Sequence, residues 1–523
     1  MKKQAIEVLM FGKWLLLYAM VAVLVISCSQ THKQGVLVNA SKDSKVGIIS
    51  TILNDTTNFY YINFEKYPKP MQQLPVGVFD SGTGGLTVLD AIVNFDQHNN
   101  NTRENGSDGL NDFDNESFIY LGDQANMPYG NYSEENKIEL LKEHIIKDAQ
   151  FLLSNKYYES REDTLFKEDK QPVKVIVVAC NTATAYGKSH IEDFLSKAGS
   201  NIKVIGVIDA GVRGALQTLG KEEDAIIGVL ATAGTVSSKG YKRTIEALSK
   251  QQGYSGSIEV FQQGGVGIAE AVDEVKDYFI KGLSALREGY KGPGLSSDLK
   301  IDKTLLNVYN FNYENSKMLC DKSNPDDCTV MQINDPENYV RYHLVSLMEN
   351  IRKSDTNKQL KTIILGCTHY PYLTKEIRQV LSELYNYKSK EGEFIYRKNM
   401  SENIVLIDPA VNTAKELYEY LSRENLMSSS GDIHKSEFYI SVTNVDNKNN
   451  LIDSQGDFPY EYKYGREAGN IQEYVKIVPF SRRNISTDIL NRFHEQMPFV
   501  YNLIQDFEKS NNKTKHLEKK DQI

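Results

Sequence analysis

Two short runs, Lys174-Val175-Ile176-Val177-Val178-Ala179 and Lys361-Thr362-Ile363-Ile364-Leu365-Gly366, are apolar almost without interruption and rich in β-branched residues. A strand that reads apolar on both faces is one buried on both, as in a parallel sheet. Runs of the same kind occur at 74–79, 117–122, 203–208, 225–230, 404–407 and 438–442, with a shorter one at 258–261. Between them the apolar spacing becomes that of amphipathic helices, over 86–93, 133–153, 183–195, 268–286, 338–351, 374–384 and 409–421. Ser133 is the expected N-cap of its helix, with Glu135 in the first turn. Strands alternating with helices of this length predict βαβ units and an α/β fold with mostly parallel sheets. Two similar strands so far apart, each ending in a cysteine, predict two α/β units facing each other across a cleft.

Polar stretches mark what lies outside those units. Residues 29–73 are mixed and without sustained period, a tether by composition. The Asn-, Asp- and Gly-rich segment 97–116 and the segment 288–336 read as surface insertions, and 481–523 as a polar, Lys-rich tail. With 523 residues, 40% hydrophobic and 25% charged, the chain has the composition of a globular protein of two or three domains. Its net charge of −9 provides no basic stripe, which argues against nucleic acid as a partner.

The first residues read differently. Lys2 and Lys3 precede an apolar segment whose uninterrupted part, 14–27, is too short to span a bilayer but suits the core of a signal peptide. It ends in Val25-Ile26-Ser27-Cys28, which resembles a bacterial lipobox, so 1–28 is expected to be a lipoprotein-type leader with Cys28 lipidated. The bland reading is a short uncleaved anchor. Either way the folded part would be held at a membrane on the exported side; a leader that does not function would leave it in the cytoplasm. Apart from Cys28, the chain has Cys180, Cys320, Cys328 and Cys367, an even set in a compartment that permits disulfides. Cys320 and Cys328 bracket a polar loop and are candidates for a bridge. Cys180 and Cys367 must stay reduced if they are reagents, which a Cα separation beyond roughly 7 Å would secure.

Those two cysteines are the main candidate chemistry. In open α/β sheets ligands sit beyond the carboxyl ends of the strands, where both thiols are placed. A lone buried cysteine is usually an inert small hydrophobe. A pair at matching strand ends, followed by Asn181-Thr182 and by Thr368-His369, suits another task. Moving a proton from one face of a tetrahedral carbon to the other needs an acid/base group on each side, and a thiol of ordinary pKa about 8.5 can serve as either. Asp80, in the turn Asp80-Ser81-Gly82-Thr83-Gly84-Gly85, and His369 are placed to assist the respective thiols; a tight glycine turn and a structural imidazole are their bland readings. No metal-ligand spacing, phosphate loop or dinucleotide fingerprint is present, so neither metal nor cofactor is expected.

Five blocks together carry a resemblance: Asp80-Ser81-Gly82-x-Gly84-Gly85-Leu86, Gly122-Asp123-x-Ala125-x-x-Pro128-Tyr129-Gly130, Ala179-Cys180-Asn181-Thr182-Ala183, Ala231-Thr232-x-x-Thr235-Val236 and Leu365-Gly366-Cys367-Thr368-His369-Tyr370-Pro371. In this order, over about 75–445, they resemble the glutamate racemases of the cofactor-independent aspartate/glutamate racemase family. The resemblance implies a pseudo-symmetric pair of parallel-sheet α/β domains with an amino acid bound between them. The first would span 74–203, the second 204–400 with the insertion at 288–336, and 401–480 would return to the first. By carry-over Cys180 and Cys367 are the two acid/bases, Asp80 and His369 assist them, and Glu270 falls where the family has a further carboxylate. Ser81, Pro128, Tyr129, Gly130, Asn181, Thr182, Thr232, Thr235 and Thr368 fall at its substrate-contacting positions, with Asp80 and His369.

The implied activity interconverts L- and D-glutamate without pyridoxal phosphate or metal and supplies D-glutamate for peptidoglycan. An aspartate racemase and a tethered amino-acid binding protein without chemistry are the alternatives. Oligomeric state stays open, a homodimer included. The chain departs from the family at Gln262-Gln263-Gly264-Gly265, where the approach to the further carboxylate is usually apolar, and at Asp209-Ala210-Gly211, which stands for the usual Glu-Pro-Gly. The insertions, the C-terminal extension and the leader are also additions to it.

Overall fold

The computed structural model describes residues 47–523. Numbered in chain order, β1 (Val76–Asp80), β2 (Phe118–Gly122) and β3 (Val175–Val178) are buried at every position, which is why their sequences do not alternate. They form a six-stranded sheet with β4 (Lys203–Gly206), β11 (Glu437–Thr443) and β12 (Val475–Pro479) in the order β12-β11-β2-β1-β3-β4. All its neighbours run parallel except β11 and β12. A second, wholly parallel sheet has the order β10-β9-β5-β6, from β5 (Ala225–Ala231), β6 (Ile258–Gly264), β9 (Leu360–Gly366) and β10 (Met400–Ile407). The α/β architecture with two parallel sheets is therefore as expected. A small antiparallel pair, β7 (Met318–Cys320) and β8 (Met331–Ile333), lies in the 288–336 insertion, where Cys320 and Cys328 are joined by a disulfide with Cα atoms 5.8 Å apart.

Helix α1 (Asn181–Lys197) follows β3, α2 (Val207–Gln217) follows β4, and α3 (Pro409–Arg423) follows β10. Helices α2 and α3 lie between the sheets. One apolar cluster runs from Val177 and Ile205 through Val212 and Leu216 of α2 and Leu417 and Leu421 of α3 to Ile227, Val229 and Ile364 of the second sheet. The intervening residues Ile226, Leu230, Ile363 and Leu365 point the other way, into a separate cluster with Leu344 and Met348. Alternation along β5 and β9 thus assigns one face to each core. The two interposed helices touch closely: a Cβ at Gly214 would fall 2.2 Å from Asn412 Oδ1, so a side chain there would have to displace the Asn412 amide of α3.

Several boundaries differ from those expected. Residues 401–480 were to return to the first sheet, but β10 pairs with β9 in the second, and the chain rejoins the first only at β11. Apolar content alone could not tell which sheet a strand joins. The tether reading of 29–73 fails from Gly47 onward: helix Gly47–Asn54 buries Ile48, Ile49 and Ile52. The polar tail is also folded, as α4 (Thr487–Gln496) and α5 (Pro498–Ser510), which bury Leu490, Phe493, Val500, Leu503, Ile504 and Phe507 in the core of the first sheet. Those residues repeat at three- and four-residue intervals, a stripe hidden by the lysines around it.

The helix expected over 133–153 breaks at Asn136, whose φ is 57°, so Ser133 sits in the single turn Asn131–Glu134 and the long helix Ile138–Leu153 has no side-chain cap. That expected over 268–286 ends at Val272. Among the described residues no helix is long and apolar enough to cross a membrane. The leader and Cys28 lie outside them. If α5 is part of the core, Leu503→Ala should destabilise the protein by about 2–5 kcal/mol, seen as a lowered urea midpoint; an unchanged midpoint would return 481–523 to the status of a tail.

Candidate active site

Both sheets present their strand ends to the same place. In the first, β1, β2 and β3 run side by side, with Asp80 opposite Gly122, and Ala179 N–H continues the ladder by donating to Phe79 C=O at 2.9 Å. In the second, Ala231 of β5 pairs with Gly366 of β9. Beyond these ends lie all five motif turns.

Cys180 caps α1. Its sulfur accepts the N–H of Ala183 at 3.4 Å and lies 3.8 Å from Ser81 Oγ. Asp80 bends back over its own turn, its Oδ2 accepting the N–H of Gly85 at 2.9 Å. A Cβ at Gly85 would lie 2.5 Å from Asp80 Cβ, so glycine is required for that approach. On the second sheet, Cys367 Sγ lies 3.7 Å from His369 Nδ1, with Thr368 Oγ1 3.4 Å from the same nitrogen. The other ring nitrogen faces Asp273 Oδ1 at 3.1 Å, and Arg492 of α4 reaches the same carboxylate oxygen at 2.7 Å.

The residues beside the cysteines join the two turns. Asn181 Nδ2 donates to Gly366 C=O at 3.3 Å, and Tyr241 OH donates to Asn181 Oδ1 at 3.0 Å, fixing which way the amide points. Residue 181 follows one cysteine and residue 366 precedes the other, so this bond bridges the carboxyl edges of the separate sheets. A second approach brings the turn before Gly130 to that at Thr232–Thr235, where a Cβ at Gly234 would meet Gly130 Cα at 4.0 Å. Thr232 and Thr235 are tied by their hydroxyls at 3.0 Å. Cys180 and Cys367 are both buried and both free.

Two expected site residues are placed otherwise. Tyr129 is buried with its hydroxyl 2.6 Å from Asp123 Oδ2 and 2.7 Å from Asp148 Oδ2, so its side chain anchors the Pro128–Gly130 turn from beneath. Glu270 caps its own short helix, Oε2 accepting the N–H of Gly267 at 2.9 Å. The carboxylate that holds His369 is Asp273, one helical turn further on. An acid three residues after Glu270 was the available signal for Asp273. Arg492 had none, since it lies in what reads as a tail.

The electrostatics of the two thiols differ. Burial pushes the Cys180 thiol up to about 12, with the nearby Asp80 acting in the same direction, so it carries its proton at neutral pH. Asp80 is itself raised by burial, against the N–H groups of its turn. At His369 burial opposes the charged ring, but hydrogen bonds to Asp273 and Cys367 and attraction to both outweigh it, holding the imidazolium up to about 10. Asp273 is lowered despite its burial, by His369 and Arg492.

Fold and site together define a two-sheet α/β protein with paired cysteines, unequal in charge environment, where the sheets meet. No family model matches the chain. Glutamate racemase of Thermoanaerobacter pseudethanolicus is 27% identical over 373 residues, 71% of this chain and 89% of that protein. Glutamate racemase 2 of Caldanaerobacter subterraneus is 25% identical over 371 residues, with the same two shares. Among solved structures, glutamate racemase from Francisella tularensis in complex with D-glutamate is 20% identical, covering 76% of this chain and 95% of its own, with a TM-score of 0.38. The chain is similar to glutamate racemases of the aspartate/glutamate racemase family, which it matches along most of their length.

His369 generates a prediction for stability. Its pKa in the folded protein, about 10, lies above the ordinary 6.5, so its stabilising contribution is complete below about 6.5 and disappears as pH rises through 10. The difference in unfolding free energy between the parent and Asp273→Asn should therefore narrow steadily from pH 6 to pH 9.5 in urea titrations; a constant gap would deny the charged pair.

Proposed function

We propose that the chain is a glutamate racemase that transfers the α-proton between two thiols. The observation that carries this reading is the hydrogen bond from Asn181 to Gly366 C=O, because it sets the turn of one free cysteine against the turn of the other. In one direction Cys367, as thiolate, takes the α-hydrogen as a proton. The electron pair of the broken C–H bond moves into the substrate carboxylate. Cys180 then gives its thiol proton to the opposite face of the carbon. Cys180 ends as thiolate and Cys367 as thiol, the starting state for the reverse reaction, so no proton is gained or lost.

The charge environments support these roles. The His369 imidazolium, 3.7 Å from Cys367 Sγ, meets negative charge on that sulfur, while Cys180 starts with its proton in place. The opening N–H groups of α1, at Asn181 and Thr182, have no intrahelical acceptor and face the same edge, which suits a carboxylate. Ser81, Thr232, Thr235 and Thr368 offer hydroxyls around it. D-Glutamate for peptidoglycan would be the product that matters, and tethering through Cys28 belongs to the same proposal.

Chiral analysis of products from L- and D-glutamate and L- and D-aspartate, with α-hydrogen exchange in D₂O, tests the reaction. Cys180→Ala and Cys367→Ala should each lower racemisation by at least about a hundredfold, the range expected for removal of a general acid or base. Undiminished turnover in either variant refutes the two-thiol scheme, turnover of aspartate alone shifts the substrate, and binding without exchange makes the chain a receptor. For the tether, Cys28→Ala should move the protein from the membrane fraction to the soluble one; unchanged partition would exclude lipidation.

A further inference from the structure

We infer that Arg492 is a positioning residue, supplied by the C-terminal extension, that holds Asp273 against the His369 imidazole and so ties the first lobe to the opposite lip of the site. The inference deepens the racemase reading and rests on it for the consequence to turnover. Helix α4 belongs to the first sheet: Leu490 and Phe493 sit in its core, beside α5 with Val500, Leu503, Ile504 and Phe507. Asp273 and His369 belong to the second, following helix Ile268–Val272, whose Ile268 and Ala271 pack in the other core, and β9 respectively. The ion pair of Arg492 with Asp273, at 2.7 Å, therefore crosses from one lobe to the other.

The geometry makes Asp273 a shared acceptor. One oxygen, Oδ1, takes both Arg492 Nη1 and His369 Nε2, the latter at 3.1 Å. Asp273 is the C-cap of a five-residue helix, its N–H donating to Ala269 C=O at 2.9 Å, and Glu274 beside it has φ of 55°, so the helix end places its backbone while the direction of its carboxylate is left to side-chain partners. All three side chains are partly exposed, between 21% and 32%, and a lone exposed pair would contribute little. A chain of three, anchored at one end by a packed helix and ending on Cys367, can instead fix a geometry. The charged groups that act on His369 are Asp273 and, on its own turn, Cys367; Glu270 on the preceding helix acts on the adjacent Tyr370, and Asp90 and Asp408 act on Tyr372 together with Arg492 and Asp273.

Full-length protein with ¹³C-labelled histidine, the His369 signal assigned by His369→Gln, provides the test. In Arg492→Ala the His369 pKa should fall from about 10 towards its ordinary 6.5, because Asp273 no longer stays in contact. The alkaline limb of kcat/KM should move down with it, and kcat should fall about tenfold with little change in KM, while Arg492→Lys restores most of both. An unmoved His369 titration overturns the inference. An upward shift overturns it too, since that is what simple loss of a neighbouring cation would give. The titration does not need activity: an inactive parent with a falling His369 pKa would refute the racemase reading and leave the positioning role standing.

Discussion

Two sheets share one apolar layer, and the facing of the two cysteine turns depends on it. Helices α2 and α3 fill the space between the sheets, with Val212, Leu216, Leu417 and Leu421 buried in the same cluster as Ile205 on one side and Ile227 and Ile364 on the other. Each such side chain contributes about 1.5–3 kcal/mol by leaving water, so even four of them outweigh any polar contact at the site. The bond from Asn181 to Gly366, neutral on both sides, is worth only about 0.5–1.5 kcal/mol. The layer therefore holds the sheets in place, and the hydrogen bond selects the register of the turns at their edge. Gly214 shows how tightly that layer is drawn, since α2 and α3 touch where it has no side chain.

Given that frame, the site is built from unequal halves. Cys180 is enclosed by the first sheet and set beside a buried carboxyl, and these two effects outweigh the N–H that Ala183 of α1 donates to the sulfur, so the protonated thiol is favoured. Cys367 stands beside an imidazolium held by Asp273 and, through it, by Arg492. The two thiols thus face opposite surroundings, a buried carboxyl on one side and an imidazolium on the other, and the proposed proton transfer draws its direction from that inequality.

The sequence reveals most of what lies at the carboxyl edges and less of what lies behind them. Strands β1, β2, β3 and β5 are legible because burial on both faces leaves continuous β-branched runs, as it nearly does in β4, β9 and β11, while β6 and β10, only partly buried, show shorter apolar runs; the cysteines are legible because they follow two of these strands. Cys320 and Cys328 are legible from the polar loop they bracket. The losses have physical reasons. β12, at the edge of the first sheet, mixes Lys476 with apolar residues and offers no continuous run. α4 and α5 carry a narrow apolar stripe among charges. Glu270 and Asp273 differ by one helical turn, and which of them reaches His369 depends on the helix stopping at Val272. A periodicity that looks helical to 286 gives no warning of that stop.

The N–H of Asp273 still closes onto Ala269 C=O at 2.9 Å, so the helix end places its backbone; what the helix does not set is the direction of the carboxylate. Side chains set that, and the cation among them belongs to α4, beyond the last of the five motif blocks. Tyr129 follows the same logic on the other side, its hydroxyl fixed between Asp123 and Asp148 so that the turn around it is set from below. Asp148 is pushed far up by burial and by Asp123, so it can hold the extra proton that two carboxyls around one hydroxyl require. In both halves the residues that touch the cleft are few, and their geometry comes from polar groups one layer back, held in turn by packed helices.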